Sequence, residues 1–81
     1  MYFVYILKSA ADNNLYIGST DNLDRRIQEH NTGNVNSTKN RRPLKLKCYF
    51  VFEERKTAAQ FEKYLKTGSG KAFAYKHFNI K

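Results

Sequence analysis

The sequence predicts a small α+β domain: a three-stranded β-sheet flanked by helices, in the order β-β-α-β-α-α. Three observations carry this. Tyr2 to Lys8 is dense in β-branched and aromatic residues, Leu44 to Phe52 alternates with a period of two, and two stretches of helical period lie between and after these strands. The 81 residues fit one domain spanning residues 1–81.

Taken in order, Tyr2 to Lys8 reads as the first strand. Asp12-Asn13-Asn14 is turn chemistry, because these side chains bond the local backbone and tolerate a left-handed conformation. Leu15 to Gly18 returns as a short second strand, making a hairpin. Asp21 is the expected cap of a helix from Asn22 to about Thr32, with Gly33 as its stop. Leu23 and Ile27 mark its buried face, and Arg26 and His30, also four apart, project together at the edge of that face. Asn34 to Arg42 is polar and reads as a loop. In Leu44 to Phe52, the residues Leu44, Leu46, Cys48, Phe50 and Phe52 are expected to face one way, and Lys45, Lys47, Tyr49 and Val51 the other. Thr57 with Gln60 forms a capping-box signature for a helix to about Thr67, striped by Ala58, Phe61 and Leu65. Glu62 lies beside that stripe, roughly 100° round from Phe61. Gly68-Ser69-Gly70 ends this helix, and Lys71 to Phe78 is a short last helix with Phe73 and Phe78 free to pack.

Composition narrows the function. Hydrophobic residues make up 41% and charged residues 27%, as in an ordinary folded domain. No apolar run approaches the ~18 residues of a membrane helix, so no membrane partner is expected. The Met1 end shows no basic stretch followed by an apolar one, so no secretory leader is expected. One Cys makes no internal disulfide, and no Cys/His zinc pattern exists. A reduced cytoplasmic domain is the expectation. The net charge of +8 is uneven: residues 1–34 hold three basic and four acidic side chains, and residues 35–81 hold twelve and three. The excess is densest at Lys39, Arg41, Arg42, Lys45 and Lys47. Such a face suits a polyanion, because each neutralised phosphate releases condensed counterions. It also suits simple solubility.

Four polar or ionisable side chains stand in or beside segments that should be buried: Tyr5, Tyr16, Arg26 and Glu62. Whether the two phenols share a face depends on the hairpin loop. A two- or four-residue loop puts them together and a three-residue loop puts them apart. A loop of Ala10 to Asn13 pairs Tyr16 with Leu7 and leaves Tyr5 a diagonal neighbour at roughly 7–8 Å. The sequence favours no register.

Phe3-Val4-Tyr5, ten intervening residues, then Tyr16-Ile17-Gly18 resembles the paired motif of the GIY-YIG nucleases. The likeness continues through Arg26 and His30, seven and eleven residues beyond Ser19, and through Glu62 on a later helix. It covers essentially the whole chain. In length and in the stretch from Ser37-Thr38-Lys39 to Arg41-Arg42-Pro43, the chain is similar to the small single-domain bacterial members. It departs from the pattern at Phe3, where the motif has Gly. Many members carry a late Asn near the active site; the only late one here, Asn79, does not match that spacing from Glu62. No accessory DNA-binding domain is expected beside the motif.

The resemblance implies a metal-dependent endonuclease that hydrolyses phosphodiester bonds in DNA, with a single Mg²⁺ or Mn²⁺ and with structure-specific or repair-related substrates among those it suggests. By that resemblance Glu62 is the metal ligand, since Mg²⁺ keeps most of its waters and takes one or two protein oxygens. Arg26 would neutralise charge building on the phosphate through its planar fork of donors. Tyr5 would take a proton from the attacking water, with Tyr16 assisting and His30 orienting phosphate or water or relaying the proton. A phenol has a pKa of about 10, so this role needs nearby cations to lower it. Lys39, Arg41, Arg42 and Lys45 would contact phosphates, and Gly18 would give close backbone approach. A nuclease this small is expected to need a targeting protein partner. Nothing in the sequence sets an oligomeric state or decides DNA against RNA.

Each residue also has a plainer reading. Tyr5 and Tyr16 suit ordinary packing with the hydroxyl at the surface. His30 could merely offset the dipole at a helix C-terminus, and Glu62 could be a surface ion pair with Lys66, worth only ~0.5 kcal/mol. Cys48 reads as a small core residue. The bland whole-protein alternative is a non-catalytic nucleic-acid-binding module on the same fold.

Overall fold

The computed structural model describes residues 1–78. Three strands, β1 (Tyr2–Ser9), β2 (Leu15–Thr20) and β3 (Leu44–Phe52), form an antiparallel sheet in the order β2-β1-β3. The most apolar strand takes the centre, where both of its faces are covered. Helix α1 (Leu23–Asn31) packs on one face of the sheet; α2 (Arg55–Leu65) and α3 (Gly68–Phe78) pack on the other. Asn79 lies outside the described residues. No helix among those described is long and apolar enough to cross a membrane.

The alternation of β1 divides the core. Val4 and Ile6 join Ile17, Ala58, Leu65 and Ala74 beneath α2 and α3, while Tyr5 and Leu7 join Leu44 beneath Leu23 and Ile27 of α1. The hairpin adopts the four-residue loop. Leu7 pairs with Tyr16, and Ser9 closes on Asn14 through a 3.0 Å backbone bond. Asn13 sits at φ +63, and Asp12 Oδ1 accepts the Asn14 amide at 2.9 Å, which is the turn chemistry expected of these residues. Tyr5 and Tyr16 therefore share a face. Strand β2 runs on to Thr20, past the expected end at Gly18, because Phe3 and Val4 keep it paired.

Strand β3 corrects the sequence reading. Simple alternation predicts all five apolar residues on one side. A β-bulge intervenes instead: Ile6 pairs with Cys48 and Leu7 with Leu46, leaving Lys47 as the extra residue. Leu44 and Leu46 thereby face α1, and Cys48, Phe50 and Phe52 face α2 and α3. One strand with a single apolar set supplies both cores.

The helix ends also differ in detail. Asn22, with extended backbone, is the true cap of α1: its side-chain oxygen accepts the Arg25 amide at 3.1 Å. Asp21 instead pairs with Arg25 at 3.2 Å. Gly33, at φ +84, lies just beyond the helix end as expected. The polar segment after it is partly ordered by burial of Val35 and Thr38 and by a 3-10 turn at Lys39–Arg41. The Thr57–Gln60 capping box does not form, because the chain is already helical from Arg55, two residues earlier. The Gly68-Ser69-Gly70 stretch does not merely end α2; it opens α3. Thr67 Oγ1 accepts the Gly70 amide at 3.0 Å. Gly70 lies so close to α2 that a Cβ there would collide with the backbone of Tyr64 and Leu65.

The two glycines of α3 should therefore respond oppositely to alanine. Gly70→Ala should destabilise the fold by about 1–3 kcal/mol through overpacking. A methyl group on Gly68 would meet nothing within 4 Å among the described residues, so Gly68→Ala should stabilise by about 0.4–1 kcal/mol. Denaturant unfolding of both variants measures the contrast, and a neutral Gly70→Ala would show that α2 and α3 can separate without cost.

Candidate active site

Tyr5 stands on the central strand, beside Gly18 of β2. It is 1% exposed, so its ring is part of the core and its hydroxyl needs a partner there. The ring lies against Gly18: a Cβ on that residue would fall 2.5 Å from the Tyr5 oxygen and 2.7 Å from Cζ. The glycine is thus required by the phenol that crosses it. This is a more definite reason than general backbone approach.

The partner is His30. Its Nε2 lies 2.9 Å from the Tyr5 hydroxyl, and its Nδ1 lies 2.7 Å from Thr38 Oγ1. His30 and Thr38 are both fully buried. Tyr16 closes the group, its ring centroid 4.9 Å from His30 and 6.4 Å from Tyr5. Ser37 Oγ reaches the Tyr16 hydroxyl at 3.5 Å. Helix α1 is held in place to present His30 by the Asn31 amide, which donates to Leu44 O at 3.0 Å and accepts from Leu44 N at 2.8 Å. His30 is therefore a central buried group of α1, and not a residue at the edge of its apolar face.

Arg26, one turn earlier, lies against the Tyr5 phenol and pairs with Glu29 at 3.1 Å. Burial pushes the Tyr5 phenol above its ordinary value of 10.0, and Arg26 pulls the other way without cancelling it. The expectation that cations lower this phenol is not met by the protein's own groups. Burial, with the Arg26 charge second, holds His30 below its ordinary 6.5, so the imidazole is neutral near pH 7.

Glu62 approaches β2 from the other side of the sheet. Ser19 follows Gly18 and points to the opposite face, where its Oγ donates to Glu62 Oε1 at 2.5 Å. Lys66 Nζ holds the second carboxylate oxygen at 2.6 Å, and the Glu62 side chain keeps 21% of its surface exposed. The expected ion pair with Lys66 is present, on a carboxylate that is also anchored to the strand. Among the described residues no group of three His, Cys, Asp or Glu side chains is gathered as a metal cage. Glu62 offers a single carboxylate. Beside β2 opens a groove of about 430 Å³, lined by Ser19, Arg25, Arg26 and Arg55 among others. Arg55 is set 5.3 Å over the Tyr2 ring.

The basic residues separate into two kinds. Arg41 is occupied within the fold, pairing with Asp12 at 2.7 Å and donating to Leu15 O at 3.4 Å. Lys39 and Lys45 are exposed, as is Arg42, whose Nε donates to Lys39 O at 2.8 Å. Sequence reasoning did not single out Thr38, Ser19, Asn31 or Arg55. Thr38 sits in a polar stretch with no periodicity to give it a role of its own, Asn31 is one polar residue at the end of the expected helix, and only the expected proximity of Ser19 to Gly18 offered a signal.

Comparison with known proteins accords with this geometry. A family model described as the GIY-YIG catalytic domain matches residues 1–77. A UPF0213 protein of Clostridium perfringens is 48% identical over 65 residues, covering 79% of this chain and 68% of that protein. A UPF0213 protein of Staphylococcus haemolyticus is 41% identical over 69 residues, covering 84% of this chain and 83% of its own. The solution structure of a UPF0213 protein from Bacillus halodurans aligns with a TM-score of 0.59 at 30% identity, over 94% of this chain and 84% of that one.

A buried neutral imidazole makes stability pH-dependent. Since folding depresses the His30 pKa, the unfolded chain binds more protons below about 6.5. The contribution is intact above that pH and is lost as the pH falls towards the lower folded value. Unfolding midpoints should drop between about pH 7.5 and 5, and His30→Gln should flatten that slope. An equal slope in both proteins would assign the effect elsewhere.

Proposed function

The chain belongs to the GIY-YIG catalytic-domain family, a nuclease family, and from that premise we propose that it is a metal-dependent endonuclease hydrolysing phosphodiester bonds in DNA. The observation that carries this reading is the buried Tyr5 hydroxyl. It is bonded to His30 and faced by Arg26, and Glu62 is anchored at Ser19, the residue after Gly18 on the neighbouring strand. Tyr5, His30 and Arg26 meet on the α1 face of the sheet, and Glu62 reaches the neighbouring strand at Ser19 from the opposite face.

In this reading the attacking water gives its proton to Tyr5 as the phenol passes its own proton to His30, and Tyr16 positions water or phosphate beside it. Arg26 offers paired N–H donors to the phosphate and stabilises the charge that builds there. Glu62 would hold one Mg²⁺ or Mn²⁺. A lone, partly exposed carboxylate fits an ion that keeps most of its waters, and a cation there would replace the charge balance now supplied by Lys66. When bound, the ion supplies charge stabilisation at the phosphoryl and departing oxygens. The flanking DNA backbone would follow the exposed Lys39, Arg42 and Lys45 and the arginine-lined groove. A cytoplasmic setting, a repair-related substrate and a separate targeting protein belong to the same proposal.

One observation favours the rival reading of a non-catalytic nucleic-acid-binding module: burial raises the phenol that should act as a base. Nicking of supercoiled DNA in Mg²⁺ separates the two. Wild type should nick, and Glu62→Ala should lose roughly 10²-fold or more in rate while still binding DNA. Inactivity of both proteins with unchanged affinity would favour the module. Tyr5→Phe should fold yet fail to cleave, and full activity in that variant would remove the proposed base. Arg26→Lys should also fail, because a point charge does not replace a planar fork.

A further inference from the structure

We propose that the outer face of the layer formed by α2 and α3 binds an unpaired strand of DNA, stacking bases on Tyr64, Phe73 and His77 while lysines of the same two helices meet its phosphates. This goes beyond the endonuclease reading. The face lies across the sheet from Tyr5 and His30, and binding there needs neither metal nor cleavage.

Charge is the first observation. Residues 55–78, the two helices and the turn between them, hold six Lys or Arg and one acid, Glu62. Their sum of +5 is the larger part of the net +8. Lys66 is paired with Glu62, but among the described residues Lys63, Lys71 and Lys76 are exposed and pair with no carboxylate. Solubility alone would account for these lysines. It does not account for the rings among them. Tyr64, Phe73 and Tyr75 are three of the chain's four exposed Phe and Tyr side chains, with 37–44% of their surface open. Exposed rings scattered singly need no explanation, whereas contiguous ones do.

Tyr64, Phe73 and His77 are contiguous. Their ring centroids lie 6.3 Å apart from Tyr64 to Phe73 and 4.6 Å apart from Phe73 to His77. They rest on half-buried rings: Phe61 lies 6.5 Å from Tyr64, and Phe78 lies 5.4 Å from Phe73. Phe61 and Phe78 in turn pack on Phe50 and the core. The outer rings are therefore held from beneath, so little side-chain freedom is lost when a base settles on them. Gly70 lets α3 approach α2 closely enough for Tyr64 and Phe73 to meet.

The mixture of rings and lysines selects the partner. Protein interfaces are enriched in aromatic residues but depleted in Lys. A duplex offers phosphates, but its bases are held inside the stack and show these rings no face. An unpaired strand offers both: base faces that stack on aromatic side chains whatever the sequence, and phosphates that lysines neutralise. For an endonuclease, such a face would favour DNA carrying an unpaired arm over plain duplex.

The test is fluorescence anisotropy of the full chain with a labelled oligothymidylate and a labelled duplex of equal length, in EDTA. Wild type should bind the oligothymidylate. Phe73→Leu and Tyr64→Leu keep apolar volume and remove a stacking ring, and circular dichroism checks that each is folded. Each should weaken single-strand binding about 5-fold or more and leave duplex affinity unchanged. Lys71→Gln and Lys76→Gln should each flatten the salt dependence of single-strand binding by about 0.7 in log–log slope. No binding of the oligothymidylate by wild type overturns the proposal. So does full single-strand affinity in both ring variants, or an equal loss on duplex. A wild-type dimer that Phe73→Leu dissolves, with DNA affinity unchanged, would assign the face to a second copy of the chain instead. With no metal present, none of these outcomes depends on whether Tyr5 and Glu62 act in cleavage.

Discussion

The rest of the site depends on a single buried hydrogen bond, from a tyrosine in the middle of a sheet to a histidine on the helix above it. A phenol at the centre of an apolar strand is costly unless its hydroxyl is satisfied, by roughly 1–3 kcal/mol for the unpaired group. Tyr5 meets that condition only because several other features hold. Gly18 leaves room for the ring, α1 carries His30 to it, and Asn31 ties the end of α1 to Leu44. The same constraint explains why the polar segment after α1 is folded down, since Thr38 must reach the far side of the imidazole. A loop that reads as solvated is thereby joined to the core.

The bulge in β3 matters to this arrangement. Without it, Leu44 and Leu46 would point with Cys48 and Phe50 towards α2 and α3. The face that receives α1 would then lose Leu44, one of the three buried residues of its core. The extra residue, Lys47, lets one run of alternating side chains serve two opposed helical layers. The thin core of a short chain is divided between two faces, and each share is enough to seat its helices.

Much of the fold was legible in the sequence, for identifiable reasons. The three strands and the first helix announced themselves by period and by turn residues, and Asp12-Asn13-Asn14 behaved as local chemistry requires. The bulge was not legible, because period-two alternation continues unbroken through Lys47 and only the pairing partner reveals the slip. Thr57–Gln60 misled because a capping box is a local preference, and here the helix starts earlier at Arg55. Of the site, the types and spacings of Tyr5, Tyr16, Arg26 and His30 were readable, whereas the hairpin register that unites the phenols depends on a loop length the residues alone do not set. Thr38 and Ser19 were hidden because a lone hydroxyl carries no periodic signal. Its importance lies wholly in what folds against it.

The electrostatics of the site at rest oppose the proton transfer that the proposed reading requires, and this follows from its construction. Burial raises Tyr5 and lowers His30, so a proton between them stays on the phenol. Each unit of separation between the two values adds about 1.4 kcal/mol to the cost of moving it. Part of the depression of His30 comes from the positive charge of Arg26, the second cause after burial. An anion bound to Arg26 would offset that charge and make the imidazole a better acceptor. On the proposed reading a phosphate therefore does two things when it meets the guanidinium: it is oriented for attack, and it relieves the repulsion that kept the proton on Tyr5. A phenol lowered permanently by cations would need no such coupling, but it would place a buried anion beside Leu7 and Leu44 in the resting protein. Keeping the phenol neutral until the charge arrives is the arrangement a core this small can tolerate.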